Sequence, residues 1–136
     1  MASEPLTSRA ATPQEEAITD LREATTGFDH VFANELDKAR EVFEARETPI
    51  HLLGLGALSF LEAALGMESG LMVEATRLLT LAEANARKQV KVAKALKPTG
   101  RFPAATEWEL VHADATILLG MTHALSESYM GYLQCL

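Results

Sequence analysis

The sequence predicts an all-α protein built as a stack of antiparallel helix hairpins, and three observations predict it. Alanine, leucine and glutamate, all strong helix formers, dominate the 136 residues. Long runs of Val, Ile and Thr, the signature of strands, are missing. Apolar residues recur instead at helical spacing between proline and glycine breaks. A chain of this length is one domain's worth and can bury a core. With 48% hydrophobic and 23% charged residues it is not a disordered chain.

Residues 1–12 read as a polar, flexible tail, and residues 13–136 as a single helical-repeat domain. Thr12-Pro13 followed by Glu15 and Glu16 supplies a capping residue, a proline in the first turn and acids against the helix dipole. Ile18, Leu21, Phe28, Val31 and Phe32 mark the apolar face of this first helix, which runs to about Ala33. Asn34 offers a break. Leu36, Ala39, Val42 and Phe43 define a second helix that ends near Glu47.

Thr48-Pro49 repeats the capping device and opens a third helix to about Met67. Its stretch TPIHLLGLGALSFLEAALGM is apolar almost throughout. Only ten residues separate His51 from Glu62, whereas a spanning helix needs about 18 uncharged ones. Glu62 in a bilayer would cost roughly 2 to 3 kcal/mol. The stretch therefore reads as an inner helix covered on nearly every side. Gly54 and Gly56 each cost roughly 0.5 to 1 kcal/mol relative to alanine inside a helix, which implies that a neighbour approaches closely there.

Glu68-Ser69-Gly70 turns the chain into a fourth helix carrying Leu71, Met72, Ala75, Leu78, Leu79 and Ala82. It continues through a basic segment to about Leu96, where Lys97-Pro98-Thr99-Gly100 stops it. Pro103 with Glu107 and Glu109 begins a fifth helix, along which lie Leu110, Val111, Ala113, Ile117, Leu118, Met121 and Leu125. Ser126-Glu127 allows a last break before residues 129–136. Trp108 and Phe102 are expected to cap the loop that precedes the fifth helix.

The formal charge of −7 argues against nucleic acid as a partner. The charge is uneven: residues 84–106 hold Arg87, Lys88, Lys91, Lys94, Lys97 and Arg101 and no acid. On a helix these bases flank a thin apolar strip through Val90 and Ala93. Because the strip lacks Trp, Phe and, except for Leu96, Leu, it reads first as a solvated helical extension; such a face could also meet anionic lipid heads, at roughly 1 kcal/mol per basic residue, or an acidic partner, including a second copy of the chain. Arg87, Lys88, Lys91, Lys94 and Lys97 are the candidate contact residues.

No catalytic constellation stands out, and neither a cofactor nor a metal is expected. Glu109-x-x-His112 has the spacing that helical di-metal sites use, and the alternative function is a helical-bundle metal protein or enzyme using that pair with a histidine from a neighbouring helix. Such a site needs a second copy of the pair, yet Gly27, Thr48 and Gly120 stand three residues before His30, His51 and His123. His51 and His112 read better as helix-packing residues. Cys135, the only cysteine, has no basic neighbour to lower its pKa and reads as a small packing residue. It fits a reducing compartment, and the N-terminal residues show no signal or transit pattern, so the cytoplasm is the expected location.

Two internal alignments support a repeat. An offset of 36 residues places Ala39 on Ala75 and Phe43 on Leu79, and an offset of 61 places His51 on His112. Tetratricopeptide repeats have a period of about 34 residues, with a small residue followed four positions later by a large apolar one in the second helix.

AREVFEA, the following P-x-H-L-x-G-x-G-A-L-S-F-L-E-A from Pro49 to Ala63, M-x-x-A-x-x-x-L-x-x-A-E from Met72 to Glu83, and the helix Glu109 to Leu119 resemble the N-terminal part of a known family. It is the fungal inclusion body clearance family, also called a mitochondrial outer membrane protein family, related to tetratricopeptide repeat protein 39 of animals. The resemblance covers roughly residues 15–136 and implies a non-enzymatic α-solenoid that serves as an adaptor for protein partners. It further implies a link to lipid droplets and inclusion clearance, in cytoplasm, in nucleus or at the mitochondrial surface. Family members are much longer, and YMGYLQCL carries neither a helix stop nor a polar cap. The chain is therefore expected to be a fragment, or to cover its apolar end with a partner or with a second copy as a homodimer.

Overall fold

The computed structural model describes the backbone of residues 10–66, 69–96 and 101–135, and the side chains of residues 10–66, 70–96 and 101–127. Among them run five helices and no strand: α1 (Pro13–Phe32), α2 (Leu36–Glu44), α3 (Pro49–Gly66), α4 (Ser69–Ala95) and α5 (Thr106–Cys135). Thr12 caps α1 as its sequence demands. The Thr12 hydroxyl accepts the Glu15 N–H at 3.3 Å, while the Glu15 carboxylate accepts the Thr12 N–H at 2.7 Å, so two orphan donors are satisfied reciprocally. Residues 1–9 of the expected tail lie outside the described residues.

The break after α1 falls at Asn34, whose φ of 59° is left-handed. Asparagine tolerates that region better than most residues. Glu35 then closes the turn: its N–H donates to the His30 carbonyl at 2.8 Å. Its carboxylate meets Lys38 at 2.8 Å and His30 Nδ1 at 2.6 Å. Those hydrogen bonds, from Lys38 first and His30 second, hold the Glu35 carboxyl below its usual range.

Helix order and contacts make a stack of antiparallel hairpins. Phe43 of α2 meets Gly27 near the end of α1, while Arg46, just past α2, reaches Asp20 nearer its start. Phe43 also meets Gly54 of α3, and Arg40 reaches Glu62 about two turns further on, at 2.7 Å. α3 packs onto α4 through Gly56 and Leu79. α4 packs onto α5 through small residues, Ala82 and Ala86, fully buried in one cluster with Val111 and Ala115, and Ala75 is fully buried on the same stripe. The expected equivalence of the repeats holds in burial, since Ala39, Phe43, Ala75 and Leu79 are all at 0% exposure.

α3 is the central helix. It is also the one described helix long and apolar enough to cross a membrane by length and composition. Its place among α1, α2, α4 and α5 explains that composition as packing. His51 is buried in its first turn, where the Thr48 hydroxyl lies 2.5 Å from Nδ1 and accepts the His51 N–H at 3.4 Å. Burial first, and the nearby Arg46 guanidinium second, push the His51 pKa down.

Several boundaries and faces depart from the sequence reading. α2 stops at Glu44, three residues short of Glu47, because the chain must turn for Arg46 to reach back to Asp20 and Glu23. Ser69 and Gly70 belong to the first turn of α4, not to a loop, and Glu68 lies outside the described residues. α5 begins at Thr106 and passes through Ser126-Glu127 unbroken, since that dipeptide contains neither glycine nor proline and glutamate is a good helix former. On α1 the buried stripe is Ala17, Asp20, Ala24 and Gly27, while Ile18 and Phe32 face solvent. Close approach to α2 selects small residues there, and Asp20 is tolerated because Arg46 pairs with it.

Candidate functional site

α4 presents two faces. Ala82 and Ala86 turn to α5, and the adjoining stripe, from Glu74 through Leu78, Leu81, Asn85, Gln89 and Val92 to Leu96, lines three cavities in succession. Their volumes are about 400, 500 and 280 Å³ in that order. The first and second share Arg46, Glu47 and Asn85, and the second and third share Pro13, Gln89 and Trp108. They lie end to end along α4 over about 33 Å at the helical rise of 1.5 Å per residue, and this row of cavities is the α4 groove.

Each part of the groove has its own walls. Leu52, Leu55, Leu78 and Leu81 floor the first part, between α3 and α4, under a rim of Arg40, Glu44, Glu74 and Arg77. The middle lies between the start of α1, the α2–α3 connection and α4, with Trp108 below. The last part is the most apolar, with Val92, Leu96, Phe102 and Pro103. Leu81, Val92, Leu96 and Phe102 are 40 to 68% exposed, so the groove offers apolar surface to solvent.

Local sequence explains the walls. Thr12-Pro13 sets where α1 begins, and Arg46 ties the α2–α3 connection to Asp20 and to Glu23, the latter at 3.1 Å. The Glu23 hydrogen bond, more than the charge of Asp20, raises the Arg46 pKa further. At the far end Ala105, left-handed at φ 73° and buried, turns the chain into α5. That turn brings Trp108 under the groove. Trp108 and Phe102 both border the loop as expected, but only Trp108 is buried; Phe102 is 68% exposed.

The basic segment proves partly self-satisfied. Arg87 bonds Glu83, which also accepts from His112 Nε2 at 2.8 Å. Burial opposes ionisation of Glu83, yet the hydrogen bonds from His112 and Arg87 outweigh it and hold the carboxyl below its usual range. Lys94 pairs with Glu109 at 2.7 Å. Lys88 lines the middle of the groove, Lys91 is exposed, and Lys97 lies outside the described residues. The five bases thus do not form one free patch.

The same pairings separate the residues of the metal alternative. Glu109 turns to Lys94 and His112 to Glu83, and among the described residues no three histidine, cysteine or carboxylate side chains converge as a metal-binding group. His51 and His112, matched in sequence, differ in surroundings: the first is buried and bonded to Thr48, the second half-exposed and bonded to Glu83. The side chain of Cys135 lies outside the described residues. Sequence reading missed the groove itself. Its signal was the 3-4 spacing of Leu78, Leu81, Asn85, Val92 and Leu96, which lies beside the more conspicuous alanine stripe.

Comparison with known proteins supplies the relationship. A family model described as Iml2/Tetratricopeptide repeat protein 39 matches residues 25–135. The chain is 28% identical over 122 residues to "Inclusion body clearance protein IML2" of Pyricularia oryzae, covering 86% of this chain and 15% of that protein. It is 29% identical over 119 residues to "IML2-like protein" of Saccharomyces cerevisiae, covering 82% and 16%. It is 36% identical over 78 residues to "Inclusion body clearance protein IML2" of Debaryomyces hansenii, covering 56% and 9%. No solved structure gives a significant match. The chain spans about a sixth or less of the length of these relatives. Helix hairpins with matched small and large positions, and a match that covers most of the chain, agree, and the chain belongs to the Iml2/Tetratricopeptide repeat protein 39 family.

Proposed function

We propose that this chain is a non-enzymatic helical-repeat unit that binds protein, with the groove along α4 as its docking face. The observation that carries this reading is the apolar surface at both ends of the groove, Leu52 and Leu81 at one and Val92 and Leu96 at the other, joined past Pro13, Pro49 and Trp108 and left open between polar rims. Amphipathic helices dock in such grooves by apolar residues at i, i+3, i+4 and i+7. Relatives named "Inclusion body clearance protein IML2" support a role in the clearance of protein inclusions, and in this reading the unit works in the cytoplasm or nucleus as an adaptor that holds a protein partner in the groove. The test is fluorescence anisotropy with a labelled, helix-forming peptide of leucines at that spacing and glutamines elsewhere. Binding that is lost in Leu81→Asp and Val92→Asp supports the reading, and no binding by the unaltered protein overturns it.

A second surface has its own observation. In the repeat pairing Gly56 of α3, covered by Leu79, corresponds to Ile117 of α5, which is 60% exposed beside exposed Leu110 and Met121. We propose that another helix covers this face, in the isolated chain that of a second copy. Sedimentation equilibrium would give a dimer that Ile117→Asp converts to a monomer; a monomer throughout would refute it. Contact of Lys88 and Lys91 with a lipid-droplet or mitochondrial surface is a further proposal, testable by flotation with anionic liposomes.

A further inference from the structure

The groove holds charge as well as apolar surface, and most of its cations are already engaged. Arg40 is bonded to Glu62, Arg77 to Glu74, and Arg46 to Asp20 and Glu23. Its carboxylates are not engaged to the same extent. Glu16, Glu44, Glu47 and Glu107 line the three parts of the groove and make no ion pair or hydrogen bond with the described residues, and Lys88 is the single cation in the same condition. Four spare negative charges therefore face one spare positive charge along a groove that is apolar at both ends.

We infer that the occupant of the groove is an amphipathic segment whose apolar residues are flanked by lysine or arginine, because only such a segment partners Glu44, Glu47, Glu16 and Glu107 while covering Leu81, Val92 and Leu96. The inference rests on the docking reading above and adds the chemistry of the partner. An acidic segment would set its charges against these carboxylates, and a purely apolar one would leave them facing an uncharged chain. Charge complementarity of this kind decides between partners of equal apolar area.

The experiment compares three labelled peptides of about 20 residues, a length that spans about 30 Å as a helix. All carry leucine at the same helical spacing, with lysine, glutamine or glutamate at the flanking positions. The lysine peptide is expected to bind tightest and the glutamate peptide weakest. Glu44→Gln and Glu47→Gln should each weaken the lysine peptide about two- to fivefold, as for exposed ion pairs, and leave the glutamine peptide unchanged. Glu41→Gln and Asp114→Asn, exposed outside the groove, should change neither. Equal binding of all three peptides overturns the charge inference and leaves the docking reading standing; binding of none overturns both. Equal weakening by the substitutions outside the groove would reduce the preference to the net charge of the chain and overturn the inference as well.

Discussion

The ring of Phe43 occupies the space that a Cβ at Gly54 would take: such an atom would lie 2.7 Å from the ring Cζ and closer still to its neighbours. Gly27 receives the same ring from the other side, where a Cβ would come within 2.5 Å of Cε1, and Phe28 meets it edge-on at 5.0 Å between ring centres. One aromatic side chain thus joins α1, α2 and α3. Both glycines are explained by that approach rather than by any turn.

Gly54→Ala should lower stability even though alanine favours a helix by about 1 kcal/mol. The overlap with Phe43 is expected to cost about 1 to 3 kcal/mol. Combining it with Phe43→Leu, which vacates part of the space, should cost less than the sum of the two single changes in urea unfolding. Strict additivity would contradict the packing described.

The left-handed backbone at Asn34 predicts a pair of opposite outcomes. Asn34→Gly should leave the melting temperature unchanged or slightly raised, since glycine enters this region freely. Asn34→Val should destabilise by about 1 to 2 kcal/mol. Asn34 is exposed, so any loss reports the backbone and not the core.

His51 should make stability fall on acidification. Its folded pKa lies below the ordinary 6.5, so as pH drops through 6.5 the unfolded chain takes up a proton that the folded chain refuses. Its contribution is complete above the unfolded pKa and is lost as pH falls toward the folded one. Unfolding free energies measured between pH 7.5 and about pH 5 should show a steeper decline in the unaltered protein than in His51→Gln. Parallel declines would show that His51 titrates alike in both states.

Much of this architecture was legible in the sequence because it is written in local chemistry. Thr12-Pro13 and Thr48-Pro49 announce two helix starts, Asn34 a turn, and the glycines of α3 a close neighbour. The faces were less legible. Ile18 and Phe32 look like core by hydrophobicity alone, but small residues win the contact when helices pack closely, and Asp20 is buried only because Arg46 arrives from 26 positions away. The site was least legible. Glu83 stands one helical turn before Arg87, a pairing the spacing allows, but Glu109 lies beyond the basic segment and only folding brings it to Lys94. The groove depends on the start of α1 and two connections, α2–α3 and α4–α5, meeting over α4, which no single stretch of sequence displays.

The most direct test of the groove as a docking face is photo-crosslinking with the glutamine-flanked leucine peptide, using a benzophenone side chain placed at Leu81, at Val92 or at Val73. All three positions are exposed on α4, but Val73 faces away from the groove. Crosslinks at Leu81 and Val92 with none at Val73 are expected. Equal crosslinking at Val73, or none at Leu81 and Val92, would contradict a docking role for the groove.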